Sequence, residues 1–216
     1  MERVICLLIG YVCGLFQTSY FIGKFYKKDI RNYGSGNAGT TNALRVLGRK
    51  AAIATLVCDA LKCIAAIVIV KGVFAVSSAE ILPLLSMYAA FGAILGHNFP
   101  FYMGFRGGKG FAASVGFSIA FDFPMFAIGI TLFFIIFFAT HYVSLGTIVV
   151  YLYAFVYILI AGQNGNYNMT QGHLIELYCV MGVMTALTVY RHRQNIVRLL
   201  NGTENKTFLS KKGKKE

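Results

Sequence analysis

The sequence predicts an all-α integral membrane protein of about seven transmembrane helices, with the N-terminus outside and the C-terminus in the cytoplasm. Three observations carry this. The mean hydropathy of +0.64, with only 13% charged residues, is too apolar for a soluble domain of 216 residues. The apolar residues come in blocks of roughly 17–25, about the length that crosses a bilayer core. The charges lie between the blocks, and the basic ones crowd into alternate connections.

The spans fall near 4–23, 51–70, 81–97, 108–122, 124–141, 145–162 and 173–190. Ahead of the first, Met1-Glu2-Arg3 has neither a basic n-region nor a small-residue cleavage site, so this block is expected to stay in the membrane. The second carries Asp59 and Lys62, three apart and able to pair on one helix face. A buried pair of this kind faces a bundle interior, and its expected role is structural. The fourth and fifth are short and meet at Asp122-Phe123-Pro124, a turn with a helix-breaking proline; a re-entrant pair would also fit them. Ser144 opens the sixth, where a lone serine usually caps. The five cysteines all sit inside apolar blocks without CxxC spacing, which reads as small apolar side chains, not a metal site or disulfides.

Orientation follows from the basic residues. Seven lie in the first connection, two in the third and eight after the last span, all on one side if the spans number seven. The positive-inside rule makes that side cytoplasmic. Residues 1–192 then form a single transmembrane domain, and 193–216 a cytoplasmic helix end and basic tail. The tail's Lys211-Lys212-Gly213-Lys214-Lys215 reads as a solvated end drawn to lipid headgroups.

Three cytoplasmic segments combine glycine or short polar residues with cations. The first runs from Gly34 and Ser35 through Asn37, Gly39, Thr41 and Asn42 to Arg45. Glycines let backbone amides approach an anion. Thr40, Thr41 or Asn42 can cap the following helix, and Arg45 can grip a phosphate bidentately. A flexible loop with a cap explains the same residues. The second joins Gly96-His97-Asn98-Phe99-Pro100 to Arg106-Gly107-Gly108-Lys109-Gly110. Its glycine spacing is not that of a Walker A loop, and no Ser or Thr follows Lys109. A glycine pair before a lysine suits an anion, while Arg106 and Lys109 would also serve as membrane anchors. In the third, Arg191 to Glu204, a helix would put His192, Asn195 and Leu199 on one face. A basic amphipathic helix lying on the membrane is the alternative there.

Together the three segments resemble the three motifs of the PlsY-type glycerol-3-phosphate acyltransferases. Residues 35–42 with Arg45 are similar to Ser-Gly-Asn-Pro-Gly-Ala-Thr-Asn followed by Arg. Residues 96–110 are similar to Gly-His-x-Phe-Pro through Lys-Gly-Gly-Lys-Gly, and 191–204 to Arg-His-x-x-Asn-Ile-x-Arg-Leu-Leu-x-Gly-Thr-Glu. Asp59-x-x-Lys62 and Tyr142-Val143-Ser144-Leu145 also match. Ala38 and Thr40 depart from the first motif, Arg106 replaces a Lys, and Gln17-Thr18-Ser19-Tyr20 stands where Gly-Ser-Ile-Pro is usual.

The resemblance implies a multi-pass enzyme of the bacterial cytoplasmic membrane, its site facing the cytoplasm. It would move a fatty acyl group from acyl phosphate to the 1-hydroxyl of glycerol 3-phosphate, giving lysophosphatidic acid and phosphate. No cofactor, metal, nucleic acid or obligate protein partner is expected; the partners are the two substrates and membrane lipid. Ser35, Arg45, Lys109 and Ser144 are expected to hold phosphate oxygens. Asn37, Thr41, His97, His192 and Asn195 are expected to orient the acceptor. Gly39, Asn42, Gly107 and Gly108 are expected to complete the phosphate-binding surface. The proton would pass to His97, His192 or the phosphate, the last preferred, while Glu204 ties down a helix end.

Other classes fit less well. Acyl-CoA-dependent transferases carry His-x4-Asp, which follows none of the four histidines, and Asp29, Asp59 and Asp122 are too scattered for a metal-dependent phosphatidyl transferase. A small phosphate transporter would also use seven spans and an intramembrane ion pair, but the chain has no detectable repeat. A structural membrane protein leaves three polar glycine-rich segments on one side unexplained.

Overall fold

A computed structural model describes residues 1–208; the lysine-rich end singled out above lies outside them. Those residues form ten α-helices: α1 (Glu2–Gly14), α2 (Thr18–Phe25), α3 (Thr40–Val46), α4 (Arg49–Phe74), α5 (Leu82–Asn98), α6 (Phe111–Phe121), α7 (Phe123–Thr140), α8 (Val143–Gln163), α9 (Gln171–Arg191) and α10 (Arg193–Leu200). Six stretches are long and apolar enough to cross a membrane: Glu2–Phe25, Arg49–Phe74, Ala79–Met103, Phe123–Thr140, Val143–Gln163 and Gln171–Arg191. The stretch read as a fourth span is the shorter helix α6, whose 11 residues rise only about 16 Å. Asp122 makes the expected turn, its carboxylate accepting from the Met125 amide at the start of α7. That turn meets the α8–α9 connection and the end of α4, opposite the glycine-rich loops: Tyr167 Oη donates to Asp122 Oδ2 at 3.4 Å, and Lys71 Nζ to the Ala120 carbonyl at 2.8 Å.

The core is built on α5, whose buried face includes Leu84, Leu85, Met87 and Ile94. Helix α1 crosses it so closely that a Cβ on Gly10 would lie 2.0 Å from the Ala89 carbonyl oxygen, and one on Gly92 2.1 Å from that of Leu7. Gly10 and Gly14 face Gly92 and Gly96 in a small-xxx-small crossing, where bare backbones gain contact that no side chain could.

The first span is not continuous. It breaks between Gly14 and Thr18, which leaves carbonyls unpaired at membrane depth, and each must find a donor. Tyr102 Oη donates to Leu15 O at 2.6 Å, and Lys62 Nζ to Phe16 O at 2.7 Å. Gln17 folds back to donate to Gly14 O at 3.4 Å and to His97 O at 3.0 Å. The side chains of Lys62 on α4 and of Tyr102 in the turn after α5 thus hold the break open.

Candidate active site

All three polar segments and the start of α8 meet at one end of the bundle, around a cavity of about 650 Å³. The first segment supplies Ser35, Asn37, Gly39, Thr41, Asn42 and Arg45, the second His97, Gly107 and Lys109, α8 Ser144, and the third His192 and Asn195. Gly108 is the one predicted residue behind this lining. It lies under the imidazole of His97, where a Cβ would come within 2.0 Å of Nε2.

In the first segment the cap is made differently from expectation. Gly39 occupies the N-cap of α3 without a side-chain bond, and Thr40 and Thr41 are already helical. Asn42 is buried and braces the loop instead, donating to the Ile30 and Tyr33 carbonyls at 3.1 and 3.0 Å and accepting from the Ser35 amide at 2.9 Å. Gly34, at φ +61°, leaves no room for a Cβ beside Asn42 Oδ1. With its amide so engaged, Asn42 shapes the surface that Ser35 and Asn37 present. Arg45 reaches the segment after α10, donating to Thr207 Oγ1 at 3.1 Å.

The second segment lies back on the end of α5: the Gly107 amide donates to Asn98 O and the Gly108 amide to His97 O, both at 3.1 Å. A Cβ on Gly107 would sit 2.1 Å from the His97 carbonyl oxygen, so backbone contact requires the glycine pair. Arg191, not singled out from sequence, clamps this loop from α9. Its Nη2 donates to Gly108 O at 2.7 Å, and its guanidinium lies 5.1 Å from the Phe99 ring centroid.

In the third segment the helix breaks at His192, yet His192 and Asn195 both remain buried against the cavity. Asn195 Oδ1 accepts from Lys109 Nζ, and Asn195 Nδ2 donates to Glu204 Oε1 at 2.6 Å. Glu204 also accepts from Ser144 Oγ at 2.8 Å and from Arg198 Nε at 2.7 Å. It ties the helix end, as expected, but to residues of the site itself. Ser144 therefore does not cap α8, and its hydroxyl already holds a carboxylate.

The electrostatics match a cavity that waits for anions. Seven cationic residues line it (Arg31, Arg45, Arg106, Lys109, Arg191, Arg193 and Arg198) against Asp59 and Glu204. Lys109, in the loop before α6, is pushed down to about 8 by burial and by its arginine neighbours, Arg198 first. Burial and the Lys109 charge lower His192 to about 4, so its ring is neutral at pH 7. Burial alone would raise the Glu204 pKa, but hydrogen bonds from Asn195, Arg198 and Ser144 win and hold it below the usual carboxylate range.

Beside this cavity runs an apolar groove between α6, α7 and α8, lined by Phe117, Met125, Gly129, Phe133, Tyr153 and Ala154 among others. Phe111 lines both spaces, its ring stacked on Phe133 at 4.7 Å between centroids. The site therefore offers hydrogen-bond donors and cations at one end and a hydrocarbon surface at the other.

Comparison with known proteins agrees with these features. Residues 4–202 match the family model described as glycerol-3-phosphate acyltransferase. The curated glycerol-3-phosphate acyltransferases of Thermoanaerobacter pseudethanolicus and Shouchella clausii are 38% and 41% identical over 212 residues, covering 95% of this chain and 96% of each relative. Among solved structures, the crystal structure of PlsY (YgiH), an integral membrane glycerol 3-phosphate acyltransferase in its glycerol 3-phosphate form, superposes with a TM-score of 0.81 at 30% identity over 96% of both chains. Its lysophosphatidic acid form superposes with a TM-score of 0.79 at 29% identity over the same shares. With its three polar segments gathered around one cavity and this likeness along nearly its whole length, the chain belongs to the glycerol-3-phosphate acyltransferase family.

Proposed function

We propose that the protein transfers a fatty acyl group from acyl phosphate to the 1-hydroxyl of glycerol 3-phosphate. The observation that carries this is the meeting of a cation-rich cavity with an apolar groove at Phe111. Both substrates bring phosphate, and the donor also brings a hydrocarbon chain for the groove.

Ser35, Arg45, Lys109 and Ser144 hold phosphate oxygens and take up charge as phosphate departs. Asn37, Thr41, His97, His192 and Asn195 orient the acceptor, and Gly39, Asn42, Gly107 and Gly108 shape the surface beneath it. The hydroxyl oxygen bonds to the acyl carbon, the acyl C–O bond to phosphate breaks with its electron pair, and the hydroxyl proton ends on phosphate. Phosphate is the better acceptor. Even a phosphate monoester has a second pKa near 6, against about 4 for His192.

The same reading places seven crossings in a bacterial cytoplasmic membrane, with α6 as the short fourth, the N-terminus outside and the cavity facing the cytoplasm. Support comes from the basic connections at the cavity end and from the contacts of the α6–α7 turn with Lys71 and Tyr167 at the other. Residues 1–192 carry the membrane domain, and the rest completes the site through Asn195, Glu204 and Thr207, with no obligate protein partner. Cysteines placed singly at Lys27 and Ser77 test this: in intact cells an impermeant maleimide should label only Ser77→Cys.

The activity test is phosphate release by purified protein from palmitoyl phosphate and glycerol 3-phosphate, with palmitoyl-CoA as a parallel donor. Release should need both substrates and vanish in Lys109→Ala, and no lysophosphatidic acid should form from the CoA donor. A folded, lipid-supplemented sample that releases nothing overturns the assignment.

A further inference from the structure

The buried pair Asp59–Lys62 does more than neutralise itself. Lys62 Nζ has three acceptors around it: Asp59 Oδ1 at 2.9 Å, the Phe16 carbonyl at 2.7 Å and His97 Nδ1 at 2.8 Å. An ammonium has three protons to donate and no lone pair, so this shell uses it completely. Asp59, 1% exposed, bears the balancing charge, and Thr18 Oγ1 lies 3.5 Å from the same carboxylate oxygen. His97 Nδ1 must then present its lone pair to Lys62, and the ring proton sits on Nε2. The ring is fixed from the other side too. Its Nε2 edge lies on Gly108, whose carbonyl Arg191 holds at 2.7 Å.

The second histidine of the cavity is fixed the opposite way. His192 Nδ1 stands 2.8 Å from the Thr188 carbonyl, which can only accept. Its proton is therefore on Nδ1, and the lone pair on Nε2.

We propose that Asp59 and Lys62 are positioning residues that lock His97 in its Nε2–H tautomer, so that His97 serves the acceptor substrate as a hydrogen-bond donor while His192 serves it as an acceptor. A glycerol hydroxyl has one proton to give and lone pairs to fill, and two histidines of opposite tautomer hold it in one orientation. The break in the first span belongs to the same device, because it frees the Phe16 carbonyl that completes the shell of Lys62. The proposal rests on the reading that His97 orients substrate, and the experiment separates the two.

Protein with 15N-labelled histidine, reconstituted in nanodiscs at pH 7, gives long-range proton–nitrogen spectra, assigned by loss of signal in His97→Gln and His192→Gln. His97 should show a protonated Nε2 and a bare Nδ1, and His192 the reverse. The same tautomer at both sites, or a proton on His97 Nδ1, overturns the proposal whatever the activity. For function, Asp59→Asn/Lys62→Met removes both charges at nearly constant volume. Its His97 signals should become a tautomer mixture, and its kcat should fall about ten- to a hundredfold.

Gln at position 97 places its amide nitrogen near Nε2, whereas Asn places it near Nδ1. His97→Gln should thus keep more activity than His97→Asn, and in the Gln background the double substitution should cost little further. Equal activity of Gln and Asn, or an unchanged kcat in the folded double variant, overturns the positioning role. Full activity of His97→Ala would instead remove the substrate-orienting reading and leave the tautomer assignment to the spectra, which also decide if the double variant fails to fold.

Discussion

The lowered pKa of Lys109 sets a measurable pH profile. The ammonium is the form that holds phosphate, and it prevails only below about 8. Glycerol 3-phosphate is fully dianionic only above about 6, the second pKa of a phosphate monoester. In the free enzyme, kcat/KM should therefore rise through about 6, level off, and fall above about 8 by roughly tenfold per pH unit. The cause of the upper limb is burial of Lys109 together with the charges of Arg198, Arg191 and Arg45. Once a phosphate dianion is bound, it stabilises the ammonium, so the upper limb of kcat should lie at higher pH than that of kcat/KM. Lys109→Arg replaces the titrating group by one that stays charged beyond about 12. The variant should lose activity at pH 7, because a guanidinium does not fit the contact with Asn195 Oδ1, yet its kcat/KM should no longer fall above 8. Initial rates of phosphate release, corrected for spontaneous acyl phosphate hydrolysis, measure both. An upper limb at the same pH in the arginine variant, or identical limbs for kcat and kcat/KM in the native protein, would refute the assignment of that limb to Lys109.

Three further substitutions probe separate parts of the site, and a fourth, remote from it, is a control. Gly108→Ala puts a methyl 2.0 Å from His97 Nε2, and a displacement of about 1 Å at an orienting residue should cost roughly a hundredfold in kcat/KM. Gly72→Ala, with open space at its Cβ, should leave the rate unchanged in the same assay. Glu204→Ala removes the shared acceptor of Ser144, Asn195 and Arg198, and should lower stability by about 1–3 kcal/mol, read as a drop in the thermal unfolding midpoint. At Gly129 a methyl would meet Tyr153 Cε1 at 3.4 Å in ordinary contact, but an isobutyl group would fill the groove. Gly129→Leu should reduce turnover of palmitoyl phosphate far more than of octanoyl phosphate, and an unchanged ratio would put the acyl chain elsewhere.

Much of the site was legible because its residues are out of place for a membrane protein. Ser35, Asn37, Thr41, Arg45, Lys109, His192 and Asn195 stand in polar, glycine-rich breaks between apolar blocks, and these breaks do converge. What remained hidden depends on partners distant in the chain. Leu15-Phe16-Gln17 contains no proline or glycine, so nothing local marks the break in the first span; its carbonyls are satisfied by Lys62 and Tyr102, far along the chain. Asn42 looked like a helix cap because Asn favours that position, but tertiary contacts to Ile30 and Tyr33 took its amide. The Gly10/Gly14 and Gly92/Gly96 spacings carry no reading in the sequence, because only the crossing of α1 and α5 gives them meaning. Arg191 opens the third motif with no role that the sequence assigns, and its hold on Gly108 is a matter of geometry alone.

The charge of the cavity explains why Glu204 sits where it does. Two substrates, each bearing a phosphate, must be brought together in a partly desolvated site, and their mutual repulsion has to be offset by fixed cations. The same cations repel one another, and the pKa of Lys109, lowered first by burial, is lowered further by Arg198, Arg191 and Arg45. Glu204 is a resident anion at the edge of the group: it accepts from Arg198 directly and, through Asn195, stands two hydrogen bonds from Lys109. By engaging Ser144 as well, it occupies a group expected to hold phosphate. An incoming phosphate can take over the bond from Ser144 while Arg198 and Asn195 keep the carboxylate in place. Engaging a phosphate at Ser144 thus costs the carboxylate one of its three side-chain hydrogen bonds.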